Sequence, residues 1–173
     1  MPDLSTYAKA IAGGFTISAV GGYKHIFDCL RDGRTSHSGT YNGNAVNVAA
    51  ALATVSTLSE NNGVCFTRAH AHGAALREGI VASAARHGLA ACTTGANTVF
   101  SVHLGMRSKP ANYRDLVAGE DEELYEKFRA AMFERGVSLI PGRWYVGMAH
   151  GEPELATTLA AVDASFAAIT GGG

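Results

Sequence analysis

The sequence predicts an α/β fold, and three stretches carry that prediction. "PELATTLAAVDASFAAIT" places Leu155, Leu159, Val162, Phe166 and Ile169 at steps of 4, 3, 4 and 3, the spacing of one apolar helix stripe. "LAACTTG" and "NTVFSVHLG" are short, and the second alternates Val99, Ser101 and His103 with Phe100, Val102 and Leu104, as strand side chains do. "DEELYEKFRAAMFERG" opens on acids that suit a positive helix N-terminus and closes at Arg135-Gly136, with Leu124, Phe128 and Met132 as its inner stripe. Residues from about 60 to 170 therefore read as helices laid on a small sheet.

Taken in order, the first 43 residues are mostly irregular. Gly13-Gly14, Gly21-Gly22, Gly33, Gly39 and Gly43 interrupt short apolar pieces. "FTISAV" (15–20) is expected to be a strand and "HIFDCL" (25–30) one or two helical turns. "NAVNVAAALATVSTLSE" carries Val48, Leu52 and Val55 at i, i+4 and i+7 among small residues, predicting a tightly packed helix buried on more than one face. A turn at Asn61-Asn62-Gly63 leads into a helix that "HG" (87–88) stops near Arg86. Residues 107–120 are expected to form a polar loop, "VSLIP" and "WYVGMAH" short strands, and the closing "GGG" a frayed tail. Residues 1–43 have no core of their own and need a partner surface.

Composition narrows the function classes. The chain has 173 residues and a formal charge of -1, which gives no electrostatic case for nucleic acid or an anionic membrane. No apolar run reaches the roughly 18 residues of a spanning helix, and "MPDLSTYAKA" has neither the basic nor the apolar region of a secretory signal. Cys29, Cys65 and Cys92 are widely spaced and read as reduced thiols of a cytoplasmic protein.

Two stretches concentrate candidate chemistry. "STYAKAIAGG" sets Lys9 among small residues and glycines, where a flat molecule can lie against backbone. A lysine amine with a lowered pKa condenses with a carbonyl, whereas on composition alone Lys9 reads as a solvated lysine of a flexible terminus. "HSGTYNGN" puts Ser38, Gly39, Thr40, Asn42 and Gly43 ahead of the first long helix. Free N–H groups beside a hydroxyl suit a phosphate, and an ordinary capped loop is the alternative. "HAH" (70–72) sits on a predicted helix, where i and i+2 diverge by about 200°, so the pair reads as surface or packing residues. His103 and His150 read as structural. Arg143, beside Trp144, reads as a rim residue or as a grip for a carboxylate.

Together these stretches resemble the class III, pyridoxal-phosphate-dependent aminotransferases, in particular the glutamate-1-semialdehyde 2,1-aminomutase branch. "PDLSTYAKAIAGGFTISAVGG" (2–22) is similar to the family's Schiff-base lysine segment, and "SGTYNGNAVNVAAALATVSTL" (38–58) to the motif that follows it. "FRAAMFERGVSLIP" and "MAHGEPELATTLAAVDASF" resemble the closing helix, strand and helix. Ala8, Ala12 and Thr16 depart from the family's more common glycines and proline.

The resemblance implies the C-terminal portion of a fold-type I transferase: residues 1–58 as the end of the cofactor-binding large domain with a connecting helix, and 59–173 as the small α/β domain. It implies that Lys9 forms the internal aldimine with pyridoxal 5'-phosphate and shuttles the substrate proton. It further implies that Thr40 reaches the phosphate of a partner subunit's cofactor in a homodimer, with Gly39 letting the backbone approach, and that the substrate is a small amino acid or amino-aldehyde. The carboxylate for the pyridine nitrogen would lie upstream of this chain; Asp3 belongs to the lysine motif and is not that partner. Two other readings stand beside it: a non-catalytic small-domain remnant or pairing module, and the C-terminal half of a split transaminase.

Overall fold

The computed structural model describes residues 2–171, so Gly172 and Gly173 of the expected tail lie outside the described residues. The chain divides into two compact units, Met1–Val64 and Cys65–Gly173.

The first unit opens on a two-stranded antiparallel ribbon. β1 (Leu4–Tyr7) pairs with β2 (Ala19–Gly22), Leu4 opposite Gly22 and Tyr7 opposite Ala19. Gly22 is needed there, because a Cβ would stand 2.4 Å from the Asp3 carbonyl oxygen. A 3-10 turn, Lys9–Ala12, lies in the connection. Helix α1 (Lys24–Arg31) follows, then α2 (Ala45–Ser59), whose N-cap Asn44 accepts from the Val46 and Asn47 N–H groups at 3.1 and 3.2 Å.

Two expectations are corrected in this unit. The strand starts at Ala19 rather than Phe15. β1 offers only four partners before the chain turns at Ala8, and the Thr16 carbonyl instead accepts from Asn47 Nδ2 at 2.7 Å. Helix α2 forms where its periodicity puts it, yet none of its residues is buried, and Val46 and Leu52 are 62% and 68% exposed. Among the described residues of this unit Ala12 alone is buried.

The second unit has a three-stranded antiparallel sheet in the order β3 (Ala91–Ala96), β4 (Val99–Leu104), β5 (Trp144–Tyr145). Helix α3 (Val64–Arg86, its first residue in the other unit), α5 (Glu122–Glu134) and α6 (Glu152–Thr170) supply the rest of the core. The alternation read in β4 is met: Phe100, Val102 and Leu104 are buried in the core with Leu76, Ile80, Phe128, Met132, Val162 and Phe166. Tyr125 widens the α5 stripe.

Two further expectations are corrected. The loop at 107–120 contains a short helix, α4 (Tyr113–Gly119), started by Asn112, whose side chain accepts from the Arg114 and Asp115 N–H groups. "VSLIP" is not a strand. Only Ile140 forms a bridge, to Arg143, because the chain reverses at Gly142 (φ +69°) before a ladder can grow.

Helices α3 and α6 are joined by one carboxylate. Asp163 Oδ1 accepts from Ser83 Oγ at 2.7 Å, Arg86 Nη2 at 2.6 Å and His87 Nε2 at 3.1 Å. The Ser83 hydroxyl first, then Arg86 and His87, hold this carboxyl far below its ordinary value of 3.8. A depressed folded-state pKa adds stability above the unfolded-state value, and that stability is lost as pH falls below it. Asp163→Asn is therefore expected to have a lower urea midpoint than the parent at neutral pH. Its midpoint should fall less steeply than the parent's between about pH 4 and pH 2, so that the two curves converge in acid.

Candidate functional site

Lys9 begins the 3-10 turn with φ +57°, between extended Ala8 (φ -158°) and left-handed Gly13 (φ +59°). A left-handed torsion at a residue with a Cβ costs about 1–2 kcal/mol. Such torsions persist only where the surroundings impose them, often beside a ligand. Here α2 is the support. It packs against the turn, Ala12 is 1% exposed, and a Cβ on Gly13 would stand 3.2 Å from Thr54 Oγ1.

The turn forms one wall of an open cleft of about 1180 Å³. Lys9, Ala10, Gly13, Gly14 and Phe15–Ser18 line it together with His37, Tyr41, Asn42 and Gly43. Gly14 has φ +106°, with open space where a side chain would point. The cleft thus offers a primary amine, bare backbone on which a flat ring can lie, and hydroxyl and amide donors. Asp and Glu are absent from its described lining.

The sequence-read candidates fall differently. Lys9 lines the cleft, while Gly39 and Thr40 are exposed residues of the neighbouring turn and are not among its lining. A Cβ on Gly39 would stand 3.0 Å from Asn42 Oδ1, so this turn has little room for a larger residue. Phe15, Thr16, His37 and Tyr41 join the cleft without having been singled out as site residues. They come from two irregular segments, where no periodicity could have paired them.

The histidines tie the second unit together. His72 is buried, with Nδ1 3.0 Å from the His150 carbonyl oxygen and Nε2 3.0 Å from Glu152 Oε1, while His70 on the same helix is exposed. His103 sits between Thr94 Oγ1 at 2.8 Å and Glu120 Oε1 at 3.0 Å. His150 Nδ1 accepts from the Gly147 N–H. Arg143 is exposed on the rim of a separate groove of about 520 Å³ within this unit.

Known proteins resemble this chain in sequence and in fold. The class-III aminotransferase family profile matches residues 1–140, and the chain belongs to that family. It is 34% identical over 170 residues to the glutamate-1-semialdehyde 2,1-aminomutase of Nitrosospira multiformis, covering 96% of this chain and 39% of that protein. Its fold is similar to an omega-transaminase from Sphaerobacter thermophilus (TM-score 0.85, 27% identity, 95% of this chain and 38% of the other). It is also similar to the FumI protein of Sphingopyxis sp. MTA144, solved in its PLP internal aldimine form (TM-score 0.78, 29% identity, 97% of this chain and 37% of the other). The described structure is thus a partial α/β fold of the PLP-dependent transaminase type, and the chain spans about two-fifths of the length of the relatives it matches.

Proposed function

We propose that the chain serves pyridoxal-phosphate-dependent amino-group transfer, with Lys9 as the residue that holds the cofactor. The supporting observation is the Lys9 amine on a glycine-lined cleft, in a backbone conformation that α2 imposes. Pyridoxal phosphate, when bound, supplies the electron sink that makes a substrate's α-proton removable. The chain's own residues would do the rest. Lys9 Nζ would hold the cofactor's aldehyde group, with loss of water, and once released as a free amine would take and return the substrate proton. Gly14 leaves open space beside it for a ring. The Thr40 hydroxyl and the backbone at Gly39 would hold the phosphate of the cofactor bound by a second copy of the chain. The substrate is an amino acid or amino-aldehyde, and the protein acts as a cytoplasmic homodimer.

A second reading is a pairing module without catalysis, built on the same partial fold.

The test is pyridoxal phosphate followed by borohydride reduction and peptide mapping. It is applied to the chain alone and to a chimera in which the chain replaces the matching segment of the Nitrosospira relative. The label is expected on Lys9 of the chimera and not on Lys24, Lys109 or Lys127. Lys9→Ala should abolish both the label and amino-group transfer. A chimera labelled at the other lysines and not at Lys9 overturns the assignment. One labelled at Lys9 that transfers no amino group supports the second reading.

A further inference from the structure

We infer that Asn42–Gly43, in the turn before α2, is a self-modification site at which the asparagine converts spontaneously to aspartate and iso-aspartate. The chain contains two Asn-Gly pairs, Asn42–Gly43 and Asn62–Gly63, and glycine after asparagine leaves the backbone nitrogen unhindered by a Cβ. The reaction needs that nitrogen free. The Gly43 amide attacks Asn42 Cγ, the Cγ–Nδ2 bond breaks, and ammonia leaves with the proton shed by the amide. A five-membered imide results. Water then opens either imide carbonyl, giving aspartate or a main chain rerouted through the side-chain carboxyl. The net change is asparagine plus water to aspartate plus ammonia, with no oxidant or reductant.

The two pairs differ in the features that decide this reaction. Gly63 is half-buried, and its N–H donates to the Glu60 carbonyl at 2.9 Å. Asn42 and Gly43 are both exposed. Their turn uses the flanking donors, Asn42 N–H to Gly39 O at 3.0 Å and Asn44 N–H to Tyr41 O at 3.1 Å, and leaves the Gly43 N–H without a partner among the described residues. Gly43 has φ +68° with open space around it, so nothing packs against the ring as it closes. Modification would place a carboxylate in the cleft that Lys9 lines, two residues from Thr40. That such a charge repels a bound phosphate rests on the proposed function; the modification itself does not.

The test is incubation of the intact chain at neutral and mildly alkaline pH without cofactor. Peptide mass mapping and iso-aspartate methyltransferase labelling are then read at both pairs. Asn42 is expected to convert about fivefold faster than Asn62, the factor that one retained backbone hydrogen bond imposes on the competing site. Asn42→Gln should remove the signal at 42 and leave that at 62 unchanged. The inference is overturned if Asn62 converts as fast as Asn42, or if Asn42 stays intact while the urea-unfolded chain converts there. Because the readout is peptide mass and iso-aspartate labelling, its failure is distinct from a failure of Lys9 to bind cofactor.

Discussion

Phe128→Ala is expected to destabilise the Cys65–Gly173 unit by about 3–5 kcal/mol, the range for emptying a packed phenylalanine site. Phe128 is fully buried and stacks on Phe166 at 4.5 Å between ring centroids and 15° between planes. Trp144 lies 6.4 Å away at 21°, and Tyr125 is tilted at 6.3 Å. The ring therefore joins α5, α6 and β5 at one point, and its loss removes contacts from all three. Domains of this size are stable by about 5–15 kcal/mol, so the variant loses a large share of its margin. Trp144 is the only tryptophan, and its fluorescence in a urea titration reports this unit alone. Phe128→Leu should keep most of the volume and cost less than half as much. Equal losses for the two variants would mean that the stack is not what holds the core.

Gly73→Ala is expected to cost about 2–3 kcal/mol, in the overpacking range, although helix propensity alone favours alanine by about 1 kcal/mol. Gly73 lies within α3, facing the turn between β3 and β4. A Cβ there would stand 1.8 Å from the Asn97 carbonyl oxygen and 2.5 Å from its carbon. Both parties are backbone, so either the helix or the hairpin must move. The hairpin is also held by Arg77, which donates to Asn97 Oδ1 at 2.7 Å, Thr93 Oγ1 at 3.1 Å and the Gly95 carbonyl at 3.1 Å. A shifted turn weakens these bonds as well. Gly79→Ala is the control: its Cβ would meet only the Leu159 side chain, which can rotate away. Thermal melts should rank the parent first, then Gly79→Ala, then Gly73→Ala. A Gly73→Ala chain at least as stable as the parent would refute the close approach.

The elements legible in the sequence are those whose pattern and environment agree. α5 and α6 have apolar stripes that meet a core supplied by the same unit, and β4 alternates because Phe100, Val102 and Leu104 face that core while Ser101 and the buried His103 face the other way. The misreadings share a different cause. The α2 pattern states that Val48, Leu52 and Val55 lie on one face, but a periodicity names no surface to cover it, and the burial expected there is absent. β1 is four residues with no alternation to read, and its pairing is what moved β2 from Phe15 to Ala19. α4 depends on one asparagine cap, a signal that a polar loop also carries. At the candidate site, the sequence points to Lys9 only through the resemblance of its segment to the family's lysine motif, since composition alone also fits a solvated lysine, whereas the approach of His37 and Tyr41 depends on how two irregular segments fold back.

The left-handed turn at Lys9 has one more consequence. No hydrogen bond or ion pair to the Lys9 ammonium is present among the described residues, so no neighbouring side chain steers it. The direction in which its four-carbon stem leaves the chain is set by main-chain torsions alone. Surface substitutions around the cleft should leave that heading untouched. A change at Gly13, whose own left-handed torsion (φ +59°) closes the same turn, would swing the nitrogen away even with every side chain in place.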